Sequence, residues 1–151
     1  MTLFPYTTLF RSVAELFREQ GDLGGVATSL GNCGWSSLAL MDLERAVPSF
    51  REALALACGL SWKRGVALFS AGLGSALAAQ GMEERAAQLF GAAASIEEEL
   101  GIMFDDPFQE QAYDRAASAA KAALGEERFA AAWARGEAMT PDEIMAFAEA
   151  Q

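Results

Sequence analysis

The ten residues ERAVPSFREA at positions 44–53 decide the fold, because a near copy, ERAAQLFGAA, stands at positions 84–93. Both copies begin with Glu-Arg-Ala, carry Phe in seventh place and end in Ala. Further outward, the tripeptide GVA at 25–27 returns at 65–67 with the same shift of 40 residues. Self-similarity at a period of roughly 20 to 50 residues is typical of stacked repeats, whose single units cannot bury their apolar faces alone. The sequence therefore predicts a repeat protein.

The composition indicates that the repeated unit is helical. The chain has 151 residues, 52% of them apolar, and alanine is the commonest residue. Ala, Leu, Glu, Arg and Gln favour helices, so we expect an all-α stack of antiparallel helix pairs. The repeats span 13–100, as a partial unit at 13–21 and full units at about 23–59 and 62–100. After the period stops, residues 101–151 are expected to form a C-terminal helical cap that covers the end of the stack.

Capping residues and glycines predict the helix boundaries. Asp42 is expected to cap a helix over Leu43–Ala57, and Ser61 to begin the next pair. Pro48 conflicts with this helix, because proline lacks an N–H group and crowds the preceding turn. Two outcomes stay open: a kink at Pro48, or a helix that begins only near Ala46.

The first twelve residues differ in composition from the rest. Thr2–Ser12 reads TLFPYTTLFRS, and this string resembles the in-frame translation of a common sequencing adapter. We therefore interpret residues 1–12 as a non-native segment, expect them to have no defined packing, and exclude them from the fold prediction. On this interpretation the natural polypeptide begins near Val13 and is the C-terminal piece of a longer protein.

The loss of an upstream helix has a predicted consequence at this end of the stack. It would leave an apolar face open around Leu16, Phe17, Val26 and Leu30. Because open apolar faces drive association, self-association through the N-terminal end is a further hypothesis.

The second helix of each unit carries a pattern that resembles the tetratricopeptide repeat. Ala46, Phe50 and Ala53 have the small, aromatic, small spacing of that motif, with Asp42 at the turn and Gly34 on the first helix. The second unit repeats the pattern at Gly74, Ala86, Phe90 and Ala93. The period of 40 residues exceeds the family's roughly 34. The resemblance implies a tetratricopeptide-like stack, a fragment of an α-solenoid.

Two further strings carry a narrower resemblance. They are RAAQLFGAA at 85–93 and, in the tail, AALGEERF at 122–129 followed by AWARG at 132–136. Together they are similar to the C-terminal helical-repeat region of bacterial LuxR-type regulators, predicted ATPases and some adenylate cyclases. The resemblance implies a region that follows a nucleotide-binding module and senses or binds a partner. The ATPase motifs and DNA-binding helices of such proteins are not in this sequence.

The tetratricopeptide resemblance also implies a concave groove lined by the first helices. Its candidate partner-binding residues are Thr28, Gly31, Trp35, Leu38, Leu68, Ala71, Ser75 and Ala78. Trp35 is the strongest candidate, because an aromatic side chain in a groove is a typical binding anchor. The alternative is that Trp35 packs against a neighbouring helix, as most large aromatic side chains do.

Composition argues against several kinds of chemistry. The net charge of −10, from 11 basic and 21 acidic residues, disfavours contact with a nucleic-acid backbone. Histidine is absent, which removes the usual general base and metal ligand. The acidic runs Glu97–Glu99 and Asp105–Asp106 are interpreted as solvated, because adjacent carboxylates on a helix point in different directions. No catalytic, cofactor or metal site is predicted.

Cysteine usage and hydropathy predict the compartment. Cys33 and Cys58 are interpreted as small buried thiols in a reducing cytoplasm, not as a disulfide pair. No stretch of about 18 apolar residues is free of charges and breaks, so no membrane-spanning segment is predicted.

The sequence thus favours a non-catalytic interaction or sensor region of a larger bacterial signalling or transcriptional regulator. The expected partner is a protein or another domain of the same parent chain. Two alternatives stay open. The groove of the same fold would bind a small-molecule effector, or, more weakly supported, the chain would be an enzyme.

Overall fold

The computed structural model describes residues 4–150 of the chain, with side chains from Tyr6 onward. Every regular element in that range is an α-helix, which confirms the all-α class. None of these helices is both long enough and apolar enough to cross a membrane. The helices are α1 (Phe4–Glu19), α2 (Leu23–Ala39), α3 (Leu43–Gly59), α4 (Lys63–Ala79), α5 (Glu83–Leu100), α6 (Pro107–Leu124), α7 (Glu126–Glu137) and α8 (Pro141–Glu149).

The first five helices are joined by three-residue turns of one geometry. The middle residue of each turn has a positive φ, and these residues are Gly21, Met41, Ser61 and Gly81. The residue after it donates to a carbonyl five residues earlier, as Asp42 N does to Ser37 O at 2.9 Å. This is the hydrogen bond of a Schellman motif, which ends one helix and reverses the chain. Turns this short make each helix run antiparallel to the next.

Phenylalanine rings that lie in glycine gaps hold the helix pairs together. Phe50 of α3 is fully buried, and its ring lies against Gly34 of α2 and Gly72 of α4. A Cβ on Gly34 would come 2.7 Å from the Phe50 ring, which is closer than real Cβ atoms approach. Phe90 of α5 takes the equivalent position against Gly74 of α4. The residues that repeat in the sequence therefore form the contacts between successive helices.

The last three helices fold back over the earlier ones. α6 packs on α4 and α5, α7 packs on α5, and α8 packs mainly on α3. Arg51 of α3 donates to the carbonyl of Ala148 at 2.9 Å, and Arg85 of α5 donates to that of Phe147 at 2.8 Å. Both arginines thereby bind the C-terminal end of α8, where the carbonyls give a helix partial negative charge.

The N-terminal segment has a defined place in the fold, contrary to prediction. Residues 4–12 belong to α1, which continues without a break through the helical remnant predicted from Val13. Thr7 and Ala14 are buried, and Phe10 between them is half-buried. The expectation of no defined packing is wrong for these residues, because the apolar spacing of the remnant continues upstream through them. Residues 1–3 lie outside the described residues, and the adapter origin stays a prediction.

The full length of α1 also covers most of the face that was predicted to be open. Val26 and Leu30 are buried, and Phe17 is half-buried with its ring on Gly25 of α2. Of the predicted residues, Leu16 is the exposed one. The prediction of an open face is therefore wrong for Val26 and Leu30, because α1 packs along α2. Self-association stays a hypothesis.

Two details of the predicted boundaries need correction. α3 begins at Leu43, where Asp42 Oδ1 accepts from Arg45 N at 3.3 Å, so the late start near Ala46 is wrong. Pro48 lies inside α3 on its exposed side, where solvent can reach the carbonyl that the missing proline N–H leaves without a donor. Ser61 does not cap α4, because it takes the positive-φ position of the turn and Trp62 precedes the helix.

Candidate functional site

A concave groove of about 740 Å³ crosses one side of the helix stack. α2 forms one wall and α6 the other, and α4, which packs on both, lies between them. Its lining includes seven alanines together with larger apolar side chains. We call this feature the α2–α6 groove.

The helix register explains which side chains reach the groove. Trp35 and Leu38 lie one turn apart on α2, and Ser75 and Ala78 take the same positions on α4, 40 residues later. These four residues belong to the predicted set, and the structure brings them together. On α6 the lining residues Ala112, Ala116 and Ala119 recur at helical spacing and form one face. Their small side chains leave the space between α6 and α2 empty.

Trp35 belongs more to the core than to the open surface. Only 8% of the residue is exposed. Its ring meets Phe50 edge-on at a centroid distance of 5.2 Å and Phe104 at 5.8 Å. Its Nε1 is buried without a hydrogen-bond partner among the described residues. The indole is therefore a mostly buried part of the α2 wall, which favours the packing alternative over the role of an exposed anchor.

The other four predicted residues do not line the α2–α6 groove. Gly31 is buried beneath the ring of Phe69, and Ala71 is fully buried within the stack. Thr28 is exposed, with its Oγ1 donating to the carbonyl of Gly24 at 3.0 Å. Leu68 is half-buried outside the lining. The assignment of groove residues by their position in the repeat identified the correct side of the stack. It did not identify which residues line the α2–α6 groove along its whole length.

Three prominent lining residues were not predicted from the sequence. Phe108 on the first turn of α6 is 75% exposed, and Met41 in the α2–α3 turn is 63% exposed. Phe108 contributes to the lining from α6, and Met41 contributes from the turn after α2. Arg115 follows two turns after Phe108 on the same helix. The sequence did contain a sign of Phe108: a large apolar residue directly after Asp106 and Pro107, which are typical of a helix start, is on the first turn of a helix.

Arg115 is the only cationic side chain in the lining, and it has no ion-pair or hydrogen-bond partner among the described residues. Two carboxylates also line the groove, those of Glu83 and Asp106. Asp106 Oδ1 caps α6 by accepting from Phe108 N at 2.8 Å. The groove thus combines an apolar surface, one unpaired cation and few other charges.

The cysteines and acidic runs occupy other parts of the structure. Cys33 is buried, but Cys58 is only half-buried, which corrects the expectation of two buried thiols. Burial, and then the nearby carboxylate of Asp142, raise the pKa of the Cys58 thiol. Among residues 4–150 no cluster of three His, Cys, Asp or Glu side chains is placed to hold a metal ion. Two of the predicted solvated acids form ion pairs: Glu99 with Lys63, and Asp105 with Arg64 at 3.1 Å.

A second cavity, of about 350 Å³, lies between α1 and α3. Charged residues of both signs line it, among them Arg11, Arg45 and Glu52. Because Arg45 pairs with Asp42 and Glu52 with Arg18, these charges are largely satisfied within the fold. The α2–α6 groove is therefore the better candidate site.

No protein-family model, no curated protein and no solved structure matches this chain. The resemblance to tetratricopeptide repeats and to LuxR-type regulators accordingly stays a prediction from the sequence.

Proposed function

We propose that the protein is a non-catalytic interaction and sensor module whose tetratricopeptide-like α2–α6 groove binds a segment of a protein or of another domain of its parent chain. The observation that carries this proposal is the pair of exposed apolar side chains, Phe108 of α6 and Met41 of the α2–α3 turn, in the lining of an apolar groove. Exposed apolar surface that is continuous with a concave site is typical of a docking surface.

The shape of the groove supports a protein segment as its occupant. Residues of α1, α2, α4, α5 and α6 contribute to its lining, and its alanine-rich α6 wall leaves room for bulky side chains of a partner. An amphipathic helix commonly binds a groove of this kind through apolar residues spaced along one face. Phe108 is an aromatic side chain at the edge, and aromatic residues supply a large share of binding free energy at interfaces.

The place of the module in a bacterial signalling or transcriptional regulator is part of the same proposal. Its support is the sequence resemblance of residues 85–93, 122–129 and 132–136 to the C-terminal regions of such regulators. We propose no enzymatic step for the groove, because the polar groups in its lining include no nucleophile paired with a base.

A small-molecule effector is the second candidate occupant. The groove volume of about 740 Å³ falls within the range of roughly 300–1,000 Å³ that is usual for ligand sites. A mostly apolar lining with a few polar groups, here Asn32, Gln109 and Arg115, is also usual for such sites.

Site-specific photo-crosslinking in the source cell tests the primary proposal. A benzophenone side chain at Leu38 lies in the groove, whereas one at Ser118 lies on an exposed part of α6 outside the lining. We expect one discrete protein adduct, or one internal crosslink to the parent chain, from position 38 and none from position 118. Equal adducts from both positions, or none from position 38, would remove the groove as a protein-binding site.

A further inference from the structure

Arg115 differs from almost every other cation of this protein. Among the described side chains, all lysines and arginines except Arg11 and Arg115 contact a carboxylate or a backbone carbonyl. Acids outnumber bases by 21 to 11 in this chain, yet Arg115 has no partner among the described residues. Glu83 and Asp106 line the same groove and do not pair with it.

Arg115 is exposed, and most of the groove lining beside it is apolar. Alanines precede and follow it along the lining face of α6, at Ala112 and Ala119, and the indole of Trp35 and the side chain of Leu38 stand on the opposite wall. A trough of small side chains beside larger apolar ones can hold a flexible methylene chain. Burial of the methylene chain removes apolar surface from water, and it requires no hydrogen-bonding groups from the protein. A guanidinium group at the wall binds an oxyanion through two parallel N–H donors.

We propose that the α2–α6 groove binds a single-chain amphiphile with a carboxylate head, its alkyl chain on the alanine-rich trough and its head paired with Arg115. This inference rests on the second candidate function, an effector site, and names its ligand class. The carboxylate supplies the anion that Arg115 lacks within the fold, and the chain covers apolar surface that the fold leaves open.

The net charge of the protein makes the head-group preference diagnostic. A charge of −10 by itself attracts a cationic amphiphile and repels an anionic one. A preference for carboxylate over ammonium at equal chain length therefore reports the local effect of Arg115 and not the average surface.

Isothermal titration calorimetry on the full chain, with probes kept below their micelle concentrations, tests the proposal. The probes are octanoate, decanoate and dodecanoate, with decan-1-ol and decylammonium as head-group controls. We expect the Kd to tighten about fourfold for each added methylene that is buried. We expect decanoate to bind at least about tenfold more tightly than decan-1-ol, as a charge-assisted hydrogen bond provides.

Matched variants separate the head group from the chain. Arg115→Gln is expected to abolish the preference for decanoate over decan-1-ol while the chain-length dependence persists. Arg11→Gln is the control, because Arg11 is an exposed arginine that lines the other cavity. Ala119→Phe narrows the groove and is expected to weaken every probe at least tenfold, whereas Ser118→Phe is expected to leave all of them unchanged.

The outcomes distinguish this inference from the primary function. Equal Kd values for decanoate and decan-1-ol, or a head-group preference that survives Arg115→Gln, would overturn the proposed ligand class. An adduct from position 38 together with no decanoate binding would overturn the ligand class and keep the protein-binding function. Decanoate binding that Ala119→Phe leaves unchanged would show that the amphiphile lies elsewhere.

Discussion

Gly136 of α7 lies directly against the Gln88 carbonyl of α5. A Cβ built on Gly136 would meet that oxygen well inside the 3.0 Å that real Cβ atoms keep. The contact is reciprocal, because a Cβ on Gly91 of α5 would collide in the same way with the Trp133 carbonyl of α7. The two helices therefore touch backbone to backbone, and this contact fixes how the C-terminal helices close on the stack.

Gly136→Ala is accordingly expected to destabilise the protein by roughly 1–3 kcal/mol or more, because the added methyl group meets main-chain atoms that cannot rotate away. Urea denaturation followed by far-UV circular dichroism measures the change in the free energy of unfolding.

Gly59→Ala is the matched control for this substitution. Gly59 is the last residue of α3, and nothing lies within 4 Å of a Cβ added there. Because alanine favours the helix more than glycine does, we expect a gain of about 0.5–1 kcal/mol. Equal effects at both glycines would contradict the backbone contact between α5 and α7.

Trp35 and Phe108, both in the lining of the α2–α6 groove, are expected to differ in their effect on stability. Trp35 is buried between Phe50 and Phe104, so Trp35→Ala should cost about 3–5 kcal/mol. Phe108 is 75% exposed, so Phe108→Ala should change the free energy of unfolding by less than about 0.5 kcal/mol. Thermal and urea unfolding of the two variants measure this difference.

The contrast also decides which residue can report on binding. A loss of partner capture in Trp35→Ala would be ambiguous, because the fold itself is expected to weaken. Phe108→Ala leaves the fold intact and removes an edge of the groove, so it is the cleaner probe. A large loss of stability in Phe108→Ala would mean that Phe108 is not at an open edge.

The repeated core could be predicted from the sequence because equivalent side chains form the same contacts in both repeat units. Phe50 and Phe90, 40 residues apart, are both fully buried in glycine gaps, and α3 begins at Leu43, directly after the predicted cap Asp42. The start of α1 was not predicted, because the composition of residues 4–12 differs from that of the rest of the chain and these residues were interpreted as non-native. Their apolar spacing nevertheless matched the helix that followed.

The candidate site was predicted only in part, for a physical reason. Its α6 wall comes after Leu100, where the repeat stops, so no repeat position pointed to Arg115 or Phe108. Gly31 was assigned to the groove by register, yet small residues mark places where helices touch, and Phe69 fills that place. Contacts between non-repeated elements depend on tertiary packing, which a single sequence does not display.

The common turn geometry gives a third prediction. Gly21 and Gly81 occupy their positive-φ turn positions without strain, whereas Met41 and Ser61 adopt φ values of 58° and 53° there. A residue with a Cβ loses roughly 1–2 kcal/mol in this conformation, and glycine does not. After allowance for the greater freedom of glycine in the unfolded chain, Ser61→Gly should stabilise the protein by about 0.5–1 kcal/mol.

The same urea denaturation experiment checks this expectation. Ser61 is exposed and outside the groove, so the substitution changes the turn and little else. Gly81→Ser is the inverse control and should destabilise by a similar amount. A destabilising Ser61→Gly would contradict the left-handed conformation of this turn.

Glu84 gives the fourth prediction, through the pH dependence of stability. Its carboxylate accepts hydrogen bonds from Arg128 at 3.0 Å and Arg135 at 2.9 Å, both on α7. The hydrogen bond from Arg128, and then the one from Arg135, lower the pKa of Glu84. A lowered pKa in the folded state stabilises the protein at any pH above the ordinary glutamate pKa of about 4.3, and this contribution disappears as pH falls through the lowered value.

Glu84→Gln should therefore lower the free energy of unfolding at neutral pH, and the gap to the unsubstituted protein should close as pH falls below about 4. Because all three side chains are solvent-exposed, the gap should also shrink in molar salt. Glu98→Gln, at an exposed glutamate outside these ion pairs, is the control and should change the free energy of unfolding at neutral pH by less than about 0.5 kcal/mol. Urea denaturation over a series of pH values measures both variants, and a gap for Glu84→Gln that persists at low pH would show that the substitution acts through something other than the charge of Glu84.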